Sequence, residues 1–140
     1  MSVRAAIAAA GLLLALEAPA ALACGYCVED KIAAVYDHAV VARALGRKHH
    51  VVFFHIDGTL APGERTRRAL EALAESTEGV DKGSARVSVE SASLAVAFDP
   101  RRTPIVEVQK GLERKLAAKQ LSLLPLRVMD RPAEIKTVNR

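Results

Sequence analysis

Apolar positions along the chain recur at two spacings, one typical of helices and one typical of strands. A first stripe at helical spacing runs from Val28 to a stop at Gly46, which predicts one helix. Two further helical stripes follow, and Pro62 precedes the first of them. Thr103 and Pro104 precede the second, where threonine suits the helix cap and proline suits the first helical turn. Short apolar runs predict four strands, at residues 51–56, 86–90, 94–98 and 124–128. The predicted order after the first helix is β-α-β-β-α-β.

This order is the split pattern of ferredoxin-like folds, in which strands one and three lie in the middle of the sheet. Segments 51–56 and 94–98 are the most continuously apolar, as central strands should be. Pro125 in the last strand lacks a backbone donor, which only an edge strand tolerates. We therefore expect an α/β protein of the α+β type: a ferredoxin-like sandwich over residues 47–130, preceded by an additional N-terminal helix over residues 24–46.

Both faces of the first strand are apolar. Val51 and Phe53 point to one face, whereas Phe54 and Ile56 point to the other. The two helices within the sandwich cover only one of these faces. We expect the additional N-terminal helix to pack across the second face, with a dimer interface as the alternative cover.

The N-terminal segment 1–23 has the features of a secretory signal. Arg4 precedes an uncharged run over residues 5–16, and the segment ends at Ala23 in the small-residue sequence Ala-Leu-Ala. The run is shorter than the ~20 residues of a membrane-spanning helix. We expect an exported, periplasmic chain with no transmembrane segment after cleavage. Lipidation of Cys24, as in a lipoprotein, is the alternative to simple cleavage before it.

Composition narrows the function classes. The net charge is +4, but basic residues are mixed with acids and aromatics make up only 4% of the chain. This pattern is typical of a solvated surface rather than of nucleic-acid binding. The sequence contains no phosphate-cradling glycine loop and no serine–histidine–acid pattern, which favours a carrier or sensor over an enzyme. Residues 131–140 are predicted to form a flexible tail.

The candidate chemistry lies in Cys24 and Cys27, the two cysteines of the chain. At positions i and i+3 of a helix start, both sulfurs can turn to one side, and the unpaired N–H groups and the helix dipole stabilise thiolates. Two thiolates can satisfy Cu(I) or another thiophilic ion, whereas tetrahedral zinc needs two more ligands. The candidate additional ligands are His38, His49, His50 and His55.

Spacing argues against a site built from these histidines alone. His38 is eleven residues beyond Cys27, which is about 16 Å along a straight helix. His49 and His55 are six residues apart on a strand, which is about 20 Å. We expect solvated or core-edge histidines, any of which would approach the cysteines only through tertiary packing.

From Val51 to Val128 the chain resembles a heavy-metal-associated domain, the ferredoxin-like module of copper chaperones and metal-transporting ATPases. Residues 87–113, VSVESASLAVAFDPRRTPIVEVQKGLE, resemble the family's central hairpin, its aromatic-Asp-Pro turn and the entry to its second helix. Family members place a metal-binding C-x-x-C in the loop after the first strand, following a glycine. Gly58 is present here, but Ala61 and Glu64 stand where the cysteines would fall. The resemblance implies the fold, and it does not place the family's metal site in this loop.

Three functions remain open for the C-G-Y-C motif. The first is an exported soft-metal carrier that receives or delivers Cu(I) or a similar ion through a donor or acceptor protein. The second is thiol–disulfide exchange, because the motif resembles the active site of thioredoxin-fold isomerases. Those folds place a strand before the motif and a proline, normally cis, at the strand facing it, and this sequence supplies neither. The third is a structural role, as an inert disulfide or a lipid anchor at Cys24.

Overall fold

The computed structural model of the protein describes residues 20–132, with side chains from Val28 onward. The predicted signal sequence, apart from its last four residues, and the predicted tail beyond Pro132 lie outside this range, so cleavage and export stay predictions. The elements are α1 (Ala20–Val35), α2 (His38–Gly46), β1 (His50–Asp57), α3 (Glu64–Glu75), β2 (Arg86–Ser88), β3 (Ser93–Phe98), α4 (Ile105–Ala117) and β4 (Ser122–Met129). Between residues 20 and 132, no helix has the length and apolar character needed to cross a membrane.

The four strands form one antiparallel sheet with the order β2-β3-β1-β4. Strands β1 and β3 lie in the middle and β2 and β4 at the edges, and α3 and α4 pack on the same face. The predicted ferredoxin-like fold is therefore confirmed. Every strand pair in the described residues is antiparallel, unlike the parallel βαβ arrangement that accompanies a thioredoxin-type C-x-x-C.

Strand β4 contains a bulge beside its proline. The register shifts between Phe53 and Phe54 of β1, whose partners on β4 are Arg127 and Pro125, so Leu126 is the extra residue. Because β4 is an edge strand, the missing backbone donor of the proline is tolerated there. The predicted edge position of this strand is confirmed.

Each face of the sheet has its own apolar core. Val52 and Phe54 belong to the core beneath α3 and α4, whereas Val51 and Phe53 belong to the core beneath α1 and α2. The second core consists of Ile32, Val35, Val41, Ala44, Val51, Phe53, Ala95 and Ala97. Phe53 and Phe54 are both 0% exposed, so both faces of the sheet are fully buried at its centre. The N-terminal segment covers the second face, as predicted.

The N-terminal segment forms two helices rather than the single helix that the sequence predicts. The break falls at Asp37, which is extended at φ −118° and ψ 112° and caps α2. Its Oδ1 accepts hydrogen bonds from the backbone N–H groups of Ala39 at 2.9 Å and Val40 at 3.2 Å. Its Oδ2 accepts one from Arg86 Nε of β2 at 2.9 Å. Apolar spacing in the sequence conceals the break, because it continues from Val35 to Ala39 and Ala42, whereas the residues that α2 buries are Val40, Val41 and Ala44.

Candidate functional site

The C-x-x-C motif lies inside helix α1. The helix begins at Ala20, four residues before Cys24, because the intervening alanines and leucine have high helix propensity. In α1 as it is described, four helical residues precede Cys24, whereas the predicted cleavage after Ala23 would remove them and return the motif to a helix start. Positions i and i+3 share one side of a helix, so Cys24 and Cys27 lie one turn apart on one side of α1. Their side chains lie outside the described part of the chain.

Two polar contacts hold the next turn of α1 on the sheet. Arg127 of β4 donates two hydrogen bonds to the carboxylate of Glu29, one of them with an Nη1–Oε2 distance of 3.3 Å. Lys31 Nζ donates to the backbone oxygen of Ser91, after β2, at 2.5 Å. Val28 packs against the apolar core between these contacts. The guanidinium of Arg127 also holds the pKa of Glu29 below its usual value.

The polar contacts of α1 and of Asp37, just beyond it, reach both edges of the sheet. Asp37, just beyond the helix, pairs with Arg86 at the start of β2, whereas Lys31 contacts Ser91 in the turn after β2. This turn lies beside the end of β1, because Ala92 accepts a backbone hydrogen bond of 2.8 Å from the penultimate residue of β1. Glu29, nearer to the motif, pairs with Arg127 of β4, which lies opposite Phe53 in the middle of β1. The contacts of α1 and of the residue after it therefore run from one edge strand to the other.

His55 is located at the same end of the sheet. By the alternation of the strand it follows Val51 and Phe53 on the face that α1 and α2 cover. Its Nδ1 lies 3.1 Å from the backbone oxygen of Ala92. A carbonyl only accepts, so Nδ1 carries the proton and Nε2 of the neutral ring has the free lone pair. Metal-binding histidines are oriented in this way by backbone carbonyls.

His49 occupies the opposite end of the sheet and has a structural environment. Its Nδ1 lies 2.6 Å from Asp81 Oδ2 and its Nε2 lies 3.6 Å from Asp99 Oδ2. A hydrogen bond from Arg101, helped by the charge of His49, holds the pKa of Asp99 below its usual value. Both ring nitrogens thus face carboxylates, and the side chain joins the segment before β1 to the loops around it.

The other two histidines are separated from both of these sites. His50 packs edge-on against Phe98 with ring centroids 5.8 Å apart, and His38 is exposed at the start of α2. The four candidate histidines therefore do not converge, in agreement with the spacing argument. Among the side chains from Val28 to Pro132, no three or more histidine, cysteine, aspartate and glutamate residues are grouped as a metal site.

The loop after β1, where heavy-metal-associated domains bind their ion, is tightly packed at its first residue and lacks thiols. Gly58 has φ +122°, and a Cβ there would lie 2.8 Å from the backbone oxygen of Gln120 and 2.8 Å from a methyl carbon of Leu121. Glu64 is paired with Arg67 and Arg68, and these hydrogen bonds lower its pKa to about 2. The described geometry offers no replacement here for the missing cysteines.

Comparison with known proteins found similar solved structures but no matching family. No protein-family model matches the chain, and no curated protein matches it. The structure is similar to oxidized MerP from Ralstonia metallidurans CH34, with 18% identity and a TM-score of 0.44 over 56% of this chain and 99% of that one. It is similar to a copper binding domain from HMA7, a P-type ATPase, with 18% identity and a TM-score of 0.44 over 56% of this chain and 96% of that one.

A third similar structure is the N-terminal domain of a potential copper-translocating P-type ATPase from Bacillus subtilis in the Cu(I)-loaded state. It shares 16% identity and has a TM-score of 0.44 over 59% of this chain and 94% of that one. The ferredoxin-like fold that the predicted likeness implies is established by the strand order of the sheet.

The structure adds residues that the sequence did not single out. Glu29 and Lys31 follow the motif directly in the sequence, but their partners Arg127 and Ser91 are 98 and 60 residues away. No local pattern indicates such contacts. The sequence signal available was the charged run after Cys27, which reads equally well as a solvated helix face.

Proposed function

We propose that the protein binds a soft metal ion, Cu(I) or a similar thiophilic ion, through Cys24 and Cys27. The observation that carries this proposal is the position of the motif on α1, a helix fixed to a ferredoxin-like sheet by Glu29 and Lys31. These contacts fix the helix that bears the motif, which reduces the ordering needed when the ion binds.

The chemistry of the pair suits a transferable ion. Two thiolates on adjacent turns satisfy the low coordination number of Cu(I), and soft sulfur ligands select this ion over hard cations. A two-sulfur site leaves room for the thiolate of another protein to attack the ion, so ligand exchange can move it between proteins. The names of the similar structures, a copper binding domain among them, make copper the first ion to test.

The proposed role is that of an exported carrier. The signal-like segment 1–23 supports export to the periplasm, and the proposed partner is a protein that donates or accepts the ion. Neither the proposed location nor the proposed partner depends on the loop after β1, where Gly58 and the salt-bridged Glu64 support the fold.

Competition for Cu(I) against a colorimetric chelator tests this proposal. The purified, reduced protein should take Cu(I) from the chelator under anaerobic conditions, and the Cys24→Ser/Cys27→Ser variant should not. His38→Asn, at an exposed histidine on α2, is the control for unspecific loss of binding and should retain the affinity of the unmodified protein. Equal affinity in the unmodified protein and the double-serine variant would end the proposal.

A further inference from the structure

We propose that the cavity between the end of α3 and the first turns of α4 binds an anion that carries phosphate groups. The cavity has a volume of about 580 Å³ and lies in the layer of α3 and α4, on the other side of the sheet from α1 and α2. The inference therefore goes beyond the proposed metal binding and involves neither cysteine. Three observations carry it: unpaired basic side chains on the wall, the orientation of two of them, and the uncapped start of α4.

The cavity is lined by three basic side chains that have no acidic partner. These are Arg102, in the turn after β3, and Arg114 and Lys115, both on α4. The ion pairs found within residues 28–132 all belong to other basic residues, so none of these three charges is neutralised there. Neighbouring unpaired cations repel one another, and an anion placed between them would relieve this repulsion.

Two carboxylates also line the cavity, and one of them is already paired. Glu107 accepts a hydrogen bond from Nζ of Lys110 at 3.5 Å. Glu78, just after α3, has no ion pair with any residue from Val28 to Pro132. The unpaired charges on the wall are thus three positive and one negative, and the field inside the cavity favours an anion.

Two of the basic side chains are held in place by groups on the wall. Nζ of Lys115 donates to the backbone oxygen of Ser76 at 2.6 Å and to its Oγ at 2.7 Å. An ammonium group has three donors, so one remains for a ligand. Nη2 of Arg114 lies 3.9 Å from the point that a Cβ would occupy on Gly111, so the guanidinium folds over this glycine of the wall. Donors that are already positioned reduce the entropy lost when a ligand binds.

The start of α4 adds backbone donors to the same region. The sequence suggests Thr103 as the cap of this helix, but the N-cap residue is Pro104, and no side chain caps the first turn. A Cβ on Gly79 would lie 2.7 Å from Cγ2 of Thr103, so this threonine packs against the glycine instead. The N–H groups of Ile105 and Val106 have no acceptor in the described part of the chain. The uncapped helix start therefore supports the negative charge that the basic side chains attract.

A phosphate group matches these donors in charge and shape. A guanidinium pairs with phosphate oxygens through two parallel hydrogen bonds, and an ammonium contributes a point charge. The volume of the cavity is larger than one phosphate group needs, so the ligand is a phosphorylated small molecule or the headgroup of a phospholipid. Both sources present the same group to the three basic side chains.

Titration with inorganic pyrophosphate in metal-free buffer, followed in 15N–1H spectra, tests the site. The unmodified protein should bind it saturably. Arg102→Gln/Arg114→Gln removes two charge-assisted contacts and should weaken binding by at least about ten-fold. Arg43→Gln/Arg47→Gln is the matched control, because it removes two exposed arginines from α2 and its end and changes the net charge equally. The control should retain the affinity, and an equal loss in both double variants would overturn the assignment to this cavity.

Glu78→Gln gives a test that loss of folding cannot imitate. It removes the free carboxylate of the wall and should tighten pyrophosphate binding roughly two- to five-fold, the scale of one exposed charge contact. A misfolded variant would lose affinity rather than gain it. Unchanged or weaker binding in a folded Glu78→Gln protein would contradict the proposed position of the anion.

Co-sedimentation with phosphatidylglycerol vesicles separates the two sources of the phosphate group. A headgroup ligand predicts binding to these vesicles, but not to phosphatidylcholine vesicles, and loss of this binding in Arg102→Gln/Arg114→Gln. A free phosphorylated molecule predicts saturable pyrophosphate binding without vesicle binding. The inference is overturned if the unmodified protein responds to neither probe.

Discussion

Asp37 links three parts of the molecule through one carboxylate. It caps α2 through the N–H groups of Ala39 and Val40, ends α1, and accepts a hydrogen bond from Arg86 on the edge strand β2. The Val40 hydrogen bond first, and the Arg86 guanidinium second, hold the pKa of Asp37 below its ordinary value of 3.8. The ionised carboxylate is therefore the form that the folded protein prefers.

Two substitutions of Asp37 should lower the free energy of unfolding by different amounts. Asp37→Ala loses the cap and should lower the free energy of unfolding by about 1 kcal/mol or somewhat more. Asp37→Asn retains a capping oxygen and loses only the charge toward Arg86, so its loss should be smaller. Urea unfolding of both variants measures the difference, and equal stability of Asp37→Ala and the unmodified protein would contradict the assigned cap.

The charge of Asp37 also predicts a pH dependence. Because its pKa is depressed in the folded state, the stabilisation is complete above the unfolded value of about 3.9 and is lost as the pH falls through the folded value. The difference in unfolding free energy between the unmodified protein and Asp37→Asn should be constant near neutral pH and shrink in acid. A difference that persists unchanged in strong acid would show that charge is not its origin.

Gly58 provides a residue-scale test of the closed loop after β1. Gly58 and Gly63 both have positive φ, +122° and +104°, but only Gly58 is in close contact with the chain between α4 and β4. Alanine at either position adds backbone strain. Gly58→Ala must also displace Gln120 and Leu121, so its loss of stability should exceed that of Gly63→Ala by about 1–3 kcal/mol in chemical unfolding. Similar losses in the two variants would exclude the close approach.

At the scale of elements, the added helices α1 and α2 convert a two-layer sandwich into three layers. Periodicity was sufficient to predict β1 and β3 as central strands, because their residues are apolar on both faces. It was sufficient to predict β4 as an edge, because Pro125 lacks a donor. It did not predict the break at Asp37, because the break depends on the cap that Asp37 provides and on its hydrogen bond with Arg86, which is 49 residues away.

Because α1 and α2 form a third layer, the two central phenylalanines should contribute similarly to the free energy of unfolding. Phe53 faces α1 and α2, Phe54 faces α3 and α4, and both are fully buried. Each substitution to alanine should lower the free energy of unfolding by about 3–5 kcal/mol. If Phe53→Ala proves nearly neutral while Phe54→Ala does not, α1 and α2 do not cover the sheet in solution.

At the scale of the whole molecule, Cys24 and Cys27 lie outside the ferredoxin-like unit, on the added helix α1. Sequence spacing separated His49 from His55, and the structure agrees, because the two residues lie at opposite ends of the sheet. Spacing did not indicate the contacts of Glu29 and Lys31, whose partners are 98 and 60 residues away. The fold was thus predictable from local patterns, whereas the placement of α1 depends on contacts between distant segments.

X-ray absorption at the copper edge of the Cu(I)-loaded protein tests the central claim most directly, because it reports the atoms that surround the ion. The account predicts two sulfur ligands, from Cys24 and Cys27. The sulfur signal should disappear in Cys24→Ser/Cys27→Ser. A copper ion surrounded only by nitrogen and oxygen in the unmodified protein would contradict the account.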